Sequence, residues 1–247
     1  MSIETYGTGA RLRAAANLSV PFGIERRIIL LPIPTTRDGK HVTSTDIELA
    51  DIFDGAGEGT YIFGYGIPSG LVRRAEELGA RVYDLSLDEQ YLSENAELTA
   101  IGCLGYILTS SASAPSELSF GIVGYGRIGE RLVRLLLFLG AKVSVFTTRM
   151  HIRNSLCEMG VGARDMATPI DTTGIDILIN TAPRDMRGDF AHGFPLGMRV
   201  IELASGENFD GLSRVERLPG IPERYFSLSA GRTYAAAVKR VIMGEEG

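Results

Sequence analysis

SFGIVGYGRIGERLVRLLLFLG, residues 119–140, decides the fold. It opens on SFGIV, an apolar run of the length and character of a strand buried on both faces. The run passes directly into GYGRIG at 124–129, and Arg127–Leu139 continues with helical periodicity until Gly140 stops it. A glycine triplet alone says little. Between a strand and a helix it is what a dinucleotide-binding turn requires. Gly124 would permit the tight turn, Gly126 would let the backbone approach a pyrophosphate, and Gly129 would let the helix pack closely on the sheet. The helix amino-terminus would present N–H groups and a positive dipole end to the phosphates.

Working outward, the same alternation continues in both directions. Lys142–Phe146 is the next strand, Arg153–Met159 a short helix, Ile175–Asn180 and Met198–Leu203 two further strands, and Ala230–Met243 a terminal helix. Before the motif, Ile28–Pro32, Thr60–Gly64 and Ala80–Asp84 read as strands, Leu71–Leu78 and Thr99–Ser111 as helices. The expected class is α/β: a Rossmann doubly wound parallel sheet plus a smaller N-terminal α/β lobe. The Ser/Ala/Pro-rich stretch SSASAPSE at 110–117 marks a boundary by composition. The expected organisation is a truncated lobe over 1–100, the dinucleotide-binding domain over 101–229, and a helix over 230–247 that returns to the first lobe.

Cofactor choice is read from the end of the second strand of the Rossmann unit. An NAD-type site places an acid there for the ribose 2′-hydroxyl; this chain has Thr147, Thr148 and Arg149 instead. A guanidinium pairs with a 2′-phosphate, which favours NADP(H) over NAD(H). The loops after the later strands, Thr181-Ala182-Pro183 and Ala204-Ser205, are expected on the nicotinamide side. With Gly124, Tyr125, Gly126, Arg127, Ile128 and Gly129 they complete the candidate cofactor contacts.

Composition is that of an ordinary globular protein, 45% hydrophobic and 22% charged. A formal net charge of −5 argues against nucleic-acid and anionic-membrane partners. The apolar run around Leu135–Leu139 is too short to span a bilayer, and no signal-peptide pattern opens the chain, so a cytoplasmic location is expected. Cys103 and Cys157 are expected as two buried thiols, and His41, His151 and His192 form no metal-ligand spacing, so no metal is expected.

Several segments, in order, resemble the A subunit of dipicolinate synthase, within the group related to D-2-hydroxyacid dehydrogenases. They are IILLPIPTTRDG (28–39), ENAELTAIG (94–102), GIVGYGRIGERL (121–132), IDILINTAP (175–183), VIELAS (200–205) and LPGIPERYFSLSAGR (218–232), and the resemblance covers roughly residues 24–243. It implies two α/β domains flanking a cleft, with the last helix returning to the first domain. It also implies oxidation of dihydrodipicolinate to dipicolinate, a pyridine dicarboxylate of bacterial spores formed at sporulation, with a nicotinamide cofactor and a flavoprotein-like second subunit. Substrate-side candidates on this reading are Thr35, Thr36, Tyr65, Asn95, Thr99, Gly220 and Ser229. A narrow first sheet with an exposed edge suggests a homodimer that covers it.

Three departures from the family accompany the resemblance. Only residues 1–27 precede the IILLP strand, where the family has a full strand–helix–strand unit. Ile101 stands in place of an acid, and no lysine occurs in Phe226–Gly231. A D-2-hydroxyacid dehydrogenase fits less well: it needs an arginine where Ser205 stands and a histidine acid–base, and no histidine follows His192. No catalytic residue is assigned. Two functions stay open: an NAD(P)-dependent oxidoreductase acting on a small cyclic carboxylate, and a non-catalytic dinucleotide-binding paralogue acting as a sensor or partner subunit.

Overall fold

In the computed structural model, residues 2–17, 26–166, 170–190 and 193–244 are described. His192, and residues 24–25 of the span of resemblance, lie outside them. The chain divides into two compact units, Met1–Asn95 with Pro222–Gly247, and Ala96–Ile221. The divisions differ from the expected 100/101 and 229/230. The 110–117 stretch lies inside the second unit, where it joins one helix to the strand that follows, so its composition marks a turn and not a boundary.

The first unit holds a four-stranded parallel sheet in the order β1 (Ser2–Thr5), β2 (Arg27–Leu30), β3 (Thr60–Gly64), β4 (Arg81–Asp84). Helices α1 (Ala10–Ala16), α2 (Leu49–Asp54) and α3 (Ser69–Glu77) alternate with the strands. The sheet is covered on both faces, as its apolar strands demand. Ile28, Leu30, Tyr61 and Phe63 face a cluster with Leu12 of α1, while Ile29, Leu31 and Ile62 face one with Leu49 and Phe53 of α2. Among the described residues before β2 there are one strand, β1, and one helix, α1. The sequence reading missed both. Ser2–Thr5 is a short edge strand without an apolar run, exposed at each end.

Helix α4 (Glu89–Ser110) begins ten positions before the expected Thr99 and crosses the first unit boundary. Its polar first turns, EQYLSENAE, mask a helix that buries Tyr91 and Ala96. The terminal helix α7 (Ile221–Gly244) likewise starts before the expected Ala230, because it is two helices meeting at a kink at Phe226 (φ −135°, ψ 49°). From Pro222 onward it belongs to the first unit. Its Gly231 lies so close to α1 that a Cβ there would come 2.3 Å from Ala14 Cβ. The buried Tyr234 hydroxyl is 2.9 Å from the carbonyls of both Leu31 and Phe63, at the ends of β2 and β3.

The second unit holds β5 (Ser119–Val123), α5 (Arg127–Phe138), β6 (Lys142–Phe146), α6 (Met150–Glu158), β7 (Gly162–Arg164), β8 (Ile177–Asn180), β9 (Arg199–Glu202) and β10 (Val215–Arg217). The six strands are all parallel, in the order β7-β6-β5-β8-β9-β10. Numbered within the sheet this is 3-2-1-4-5-6, the doubly wound order, and the direction of winding reverses between β5 and β8. Alternate residues of β5 face opposite clusters: Phe120 and Ile122 one, Val123 the other. Gly121 has no room for a side chain, since a Cβ would meet Leu178 at 2.8 Å and Phe146 at 2.9 Å.

The expectation of two buried thiols holds for one of them. Cys103 is buried in α4, and burial pushes its thiol up to about 12, whereas Cys157 on α6 is exposed. Among the described residues, no helix is long and apolar enough to cross a membrane, and no His/Cys/Asp/Glu group could hold a metal ion.

Candidate functional site

Ligands of doubly wound sheets bind outside the carboxyl ends of the strands, where the winding reverses. Here that place is the gap between the ends of β5 and β8, and the glycine turn occupies it. Each glycine has a different physical reason to be there. Gly124 has φ +88°, a left-handed conformation that L side chains rarely adopt, and a Cβ on it would press Ala182 Cβ and Thr181 Oγ1, each 3.0 Å away. Gly129, in the first turn of α5, would put a Cβ 2.4 Å from the Gly124 carbonyl oxygen. Gly126 is the opposite case: a Cβ there would meet nothing within 4 Å. Nothing in the fold itself needs glycine at 126. Open space above a backbone that enters a helix is what a diphosphate needs.

The hydrogen-bond ladder of α5 opens with the Glu130 N–H donating to the Gly126 carbonyl (2.9 Å), so the N–H groups ahead of it stand at the helix start. Tyr125 is half-buried against the same apolar cluster as Ile128, and burial, then the nearby Glu130, raises its phenol above the usual range. Arg127 is exposed at the helix start.

Thr147, Thr148 and Arg149 follow β6 as expected, but they divide into two kinds. Thr147 is buried and spent inside the fold. Its N–H donates to the Arg164 carbonyl (3.1 Å), its Oγ1 accepts from the Arg149 N–H (3.3 Å), and its carbonyl accepts from the Arg153 guanidinium (2.7 Å). Thr148 and Arg149 are exposed, and the Arg149 guanidinium reaches across to donate to the Tyr125 carbonyl of the glycine turn. A fixed cation therefore sits beside the turn, and no carboxylate ends β6.

On the other side of the reversal, most backbone donors of the expected contacts are already used. Thr181 N–H and Oγ1 both donate to the Val123 carbonyl at 2.9 Å, tying the end of β8 to the glycine turn. Ala182 N–H donates to Asn180 Oδ1 (3.1 Å), and Ala204 N–H to Glu202 Oε1 (2.8 Å). Pro183 and Ser205 are exposed.

Asn180 and Glu202, each the last residue of its strand, are buried, and the sequence reading did not single out their side chains. Asn180 Nδ2 lies 3.1 Å from both Glu202 oxygens, and the buried Asn208 donates to Glu202 Oε2 at 3.3 Å. Burial raises the Glu202 carboxyl above its ordinary value, against the lowering effect of these amides. The available signal was a polar residue closing each of two apolar strands, ILIN and RVIE.

In the first unit, Thr35 is fully buried. Its Oγ1 accepts from the Tyr65 N–H (2.7 Å), and its own N–H donates to the Tyr65 carbonyl (2.9 Å), so it pins the loops after β2 and β3 together. Thr36 Oγ1 is engaged with Asp38, and half-buried Tyr65 packs its ring 6.4 Å from Tyr91. Asp38 also accepts from His41 Nδ1 at 2.7 Å, which holds its carboxyl below the usual range and leaves Nε2 as the imidazole nitrogen for other partners. The sequence reading saw no metal spacing in His41 and missed this dyad. Asn95 and Thr99 lie on α4 on opposite sides of the unit boundary, Thr99 buried. Gly220 is exposed with φ +64° just before α7, and Ser229 is half-buried beyond its kink.

No family model and no curated protein matches the chain in sequence. Solved structures do match. The crystal structure of the dipicolinate synthase A subunit from Bacillus halodurans aligns with a TM-score of 0.77 at 19% identity, over 97% of this chain and 97% of that one. The fold is that of the dipicolinate synthase A subunit. Its counterpart from Bacillus subtilis aligns at 0.70 and 20% identity, over 89% of this chain and 78% of that one. A transhydrogenase from Sinorhizobium meliloti aligns at 0.59 and 16% identity, over 88% and 74%. Identities this low speak to the fold alone and leave the chemistry to the residues of this chain.

Proposed function

We propose that this chain is a cytoplasmic, NADP(H)-dependent oxidoreductase of the dipicolinate synthase type, acting on a small cyclic carboxylate such as dihydrodipicolinate. The observation that carries the reading is the contrast within GYGRIG. Close packing and backbone conformation account for Gly124 and Gly129, whereas the space beside Gly126 is open and would admit a diphosphate. Arg149 beside the turn, with no acid at the end of β6, supports the phosphorylated cofactor. The nicotinamide supplies the hydride acceptor, and aromatisation of a dihydropyridine needs little further catalysis. The task of the protein is then to bind and orient. A homodimer and a flavoprotein-like second subunit belong to the same proposal.

A thermal-shift panel of NAD, NADH, NADP and NADPH, each with and without pyridine-2,6-dicarboxylate, tests it. A ligand at 100 times its Kd stabilises by about 2.7 kcal/mol, enough to read directly. NADPH should shift melting most, and the dicarboxylate should add to it. A chain indifferent to all four dinucleotides would refute the proposal. The missing lysine in Phe226–Gly231, with Leu228 exposed there, favours the second reading, a dinucleotide-binding paralogue without catalysis. That reading predicts the dinucleotide shift without the dicarboxylate increment.

A further inference from the structure

The second half of a doubly wound sheet receives the second mononucleotide of the ligand. On the dinucleotide reading proposed above, on which this inference rests, the ends of β8 and β9 meet the nicotinamide half. Those ends are irregular loops, and one buried side chain ties them together. Glu202 Oε1 accepts from the Ala204 N–H (2.8 Å), Asn208 Nδ2 donates to Oε2 (3.3 Å), and Asn180 Nδ2 is shared between both oxygens (3.1 Å each). Each partner extends the tie. Asn180 locks Ala182 by accepting its N–H at Oδ1 (3.1 Å) and donating to its carbonyl (3.0 Å). Asn208 Nδ2 lies 3.3 Å from the Ser205 carbonyl, and the Asn208 carbonyl accepts the Met186 N–H (2.7 Å). A carboxylate is costly to bury, and it is retained here with amides for partners. As the amides are oriented, every group that faces it is a donor, which suits the two acceptor oxygens of a carboxylate.

We propose that Glu202 is a positioning residue of the nicotinamide half-site, setting the shape of the 180–183 and 203–208 loops through Asn180, Ala204 and Asn208. Substitution by glutamine keeps the volume but turns an NH2 toward groups that are themselves donors. The adenosine half would be held by the ends of β5 and β6, which Glu202 does not itself touch.

Calorimetric titration of wild type and Glu202→Gln with NADPH, and with adenosine 2′,5′-bisphosphate as the adenosine half alone, separates the two. Loss of hydrogen bonds to a charged group should weaken NADPH by about tenfold or more. The bisphosphate should bind both proteins alike. Undiminished NADPH affinity in the variant would overturn the proposal. So would an equal loss for both ligands, which is the mark of a residue that merely holds the domain together. A wild type that binds neither ligand would instead refute the dinucleotide reading, and this inference with it. Should Glu202→Gln fail to fold, Asn208→Ala removes a single donor; it should show the same split between ligands, smaller in size, and its absence would likewise overturn the proposal.

Discussion

Two glycines three positions apart in one motif should respond oppositely to the same added methyl group. At Gly129 the new Cβ would lie 2.4 Å from the Gly124 carbonyl oxygen and 3.2 Å from its carbon. An ordinary contact is roughly 1 Å longer, and the obstacle is backbone, so α5 must retreat from the turn or the turn must open. Overpacking of this kind costs about 1–3 kcal/mol or somewhat more, and the gain of about 1 kcal/mol from alanine in a helix offsets only part of it. Gly129→Ala should therefore lower the melting temperature by several degrees, at about 2–4 °C per kcal/mol for a chain of this size. At Gly126 the Cβ would meet nothing within 4 Å, and the backbone (φ −98°, ψ −164°) is extended, open to any residue. The worse helix cap and the smaller unfolded-state entropy roughly cancel, leaving Gly126→Ala within about 1 kcal/mol of wild type. Gly126→Val, which fills the space further, should keep the fold and abolish dinucleotide binding. Thermal melts read the first effect and titration with NADPH the second. A Gly129→Ala protein as stable as wild type would refute the close packing of α5 on the turn. A folded Gly126→Val protein with unchanged affinity would refute the phosphate cradle.

Other outcomes follow from the same geometry. Arg149→Ala should narrow the preference for NADPH over NADH, since one charge-assisted contact is worth about 1.5–3 kcal/mol; tighter binding of NADH by the wild type would reverse the reading of that loop. Arg199 meets Glu216 through two nitrogens (2.9 and 2.7 Å), and this pairing lowers the Glu216 carboxyl. A lowered carboxyl contributes stability above its unfolded value that is lost as pH falls through the folded one. Glu216→Gln should thus cost about 1–2 kcal/mol at pH 7 and progressively less in acid, read by urea unfolding across that range; a loss that does not depend on pH would count against the ion pair. Tyr234→Phe should destabilise the first unit by about 1–2 kcal/mol, because carbonyls at the ends of β2 and β3 lose the phenol; an unchanged melt would show that those carbonyls find other donors.

The fold class was legible because its signals are local. A strand buried on both faces writes itself as a continuous apolar run, and β5, β6 and β8 could be read from SFGIV, KVSVF and IDILIN. A dinucleotide turn writes itself as glycines at fixed spacing between a strand and a helix. What escaped the sequence lacks that local mark. The edge strands β1, β7 and β10 are three or four residues long and need little apolar sequence. The first turns of α4 are polar, and α7 reads as one short helix because its kink hides the rest. The site divided on the same principle. Only the tertiary structure could separate Gly126 from Gly124 and Gly129, since a Cβ at 126 would face empty space while one at 124 or 129 would meet Ala182 and Thr181 or the Gly124 carbonyl. Only it could show that the hydroxyls of Thr35 and Thr147 are consumed inside the protein. And only it could bring Asn180, Glu202 and Asn208 together, because hydrogen bonds between strand ends depend on which strands are neighbours, and sequence order does not reveal that.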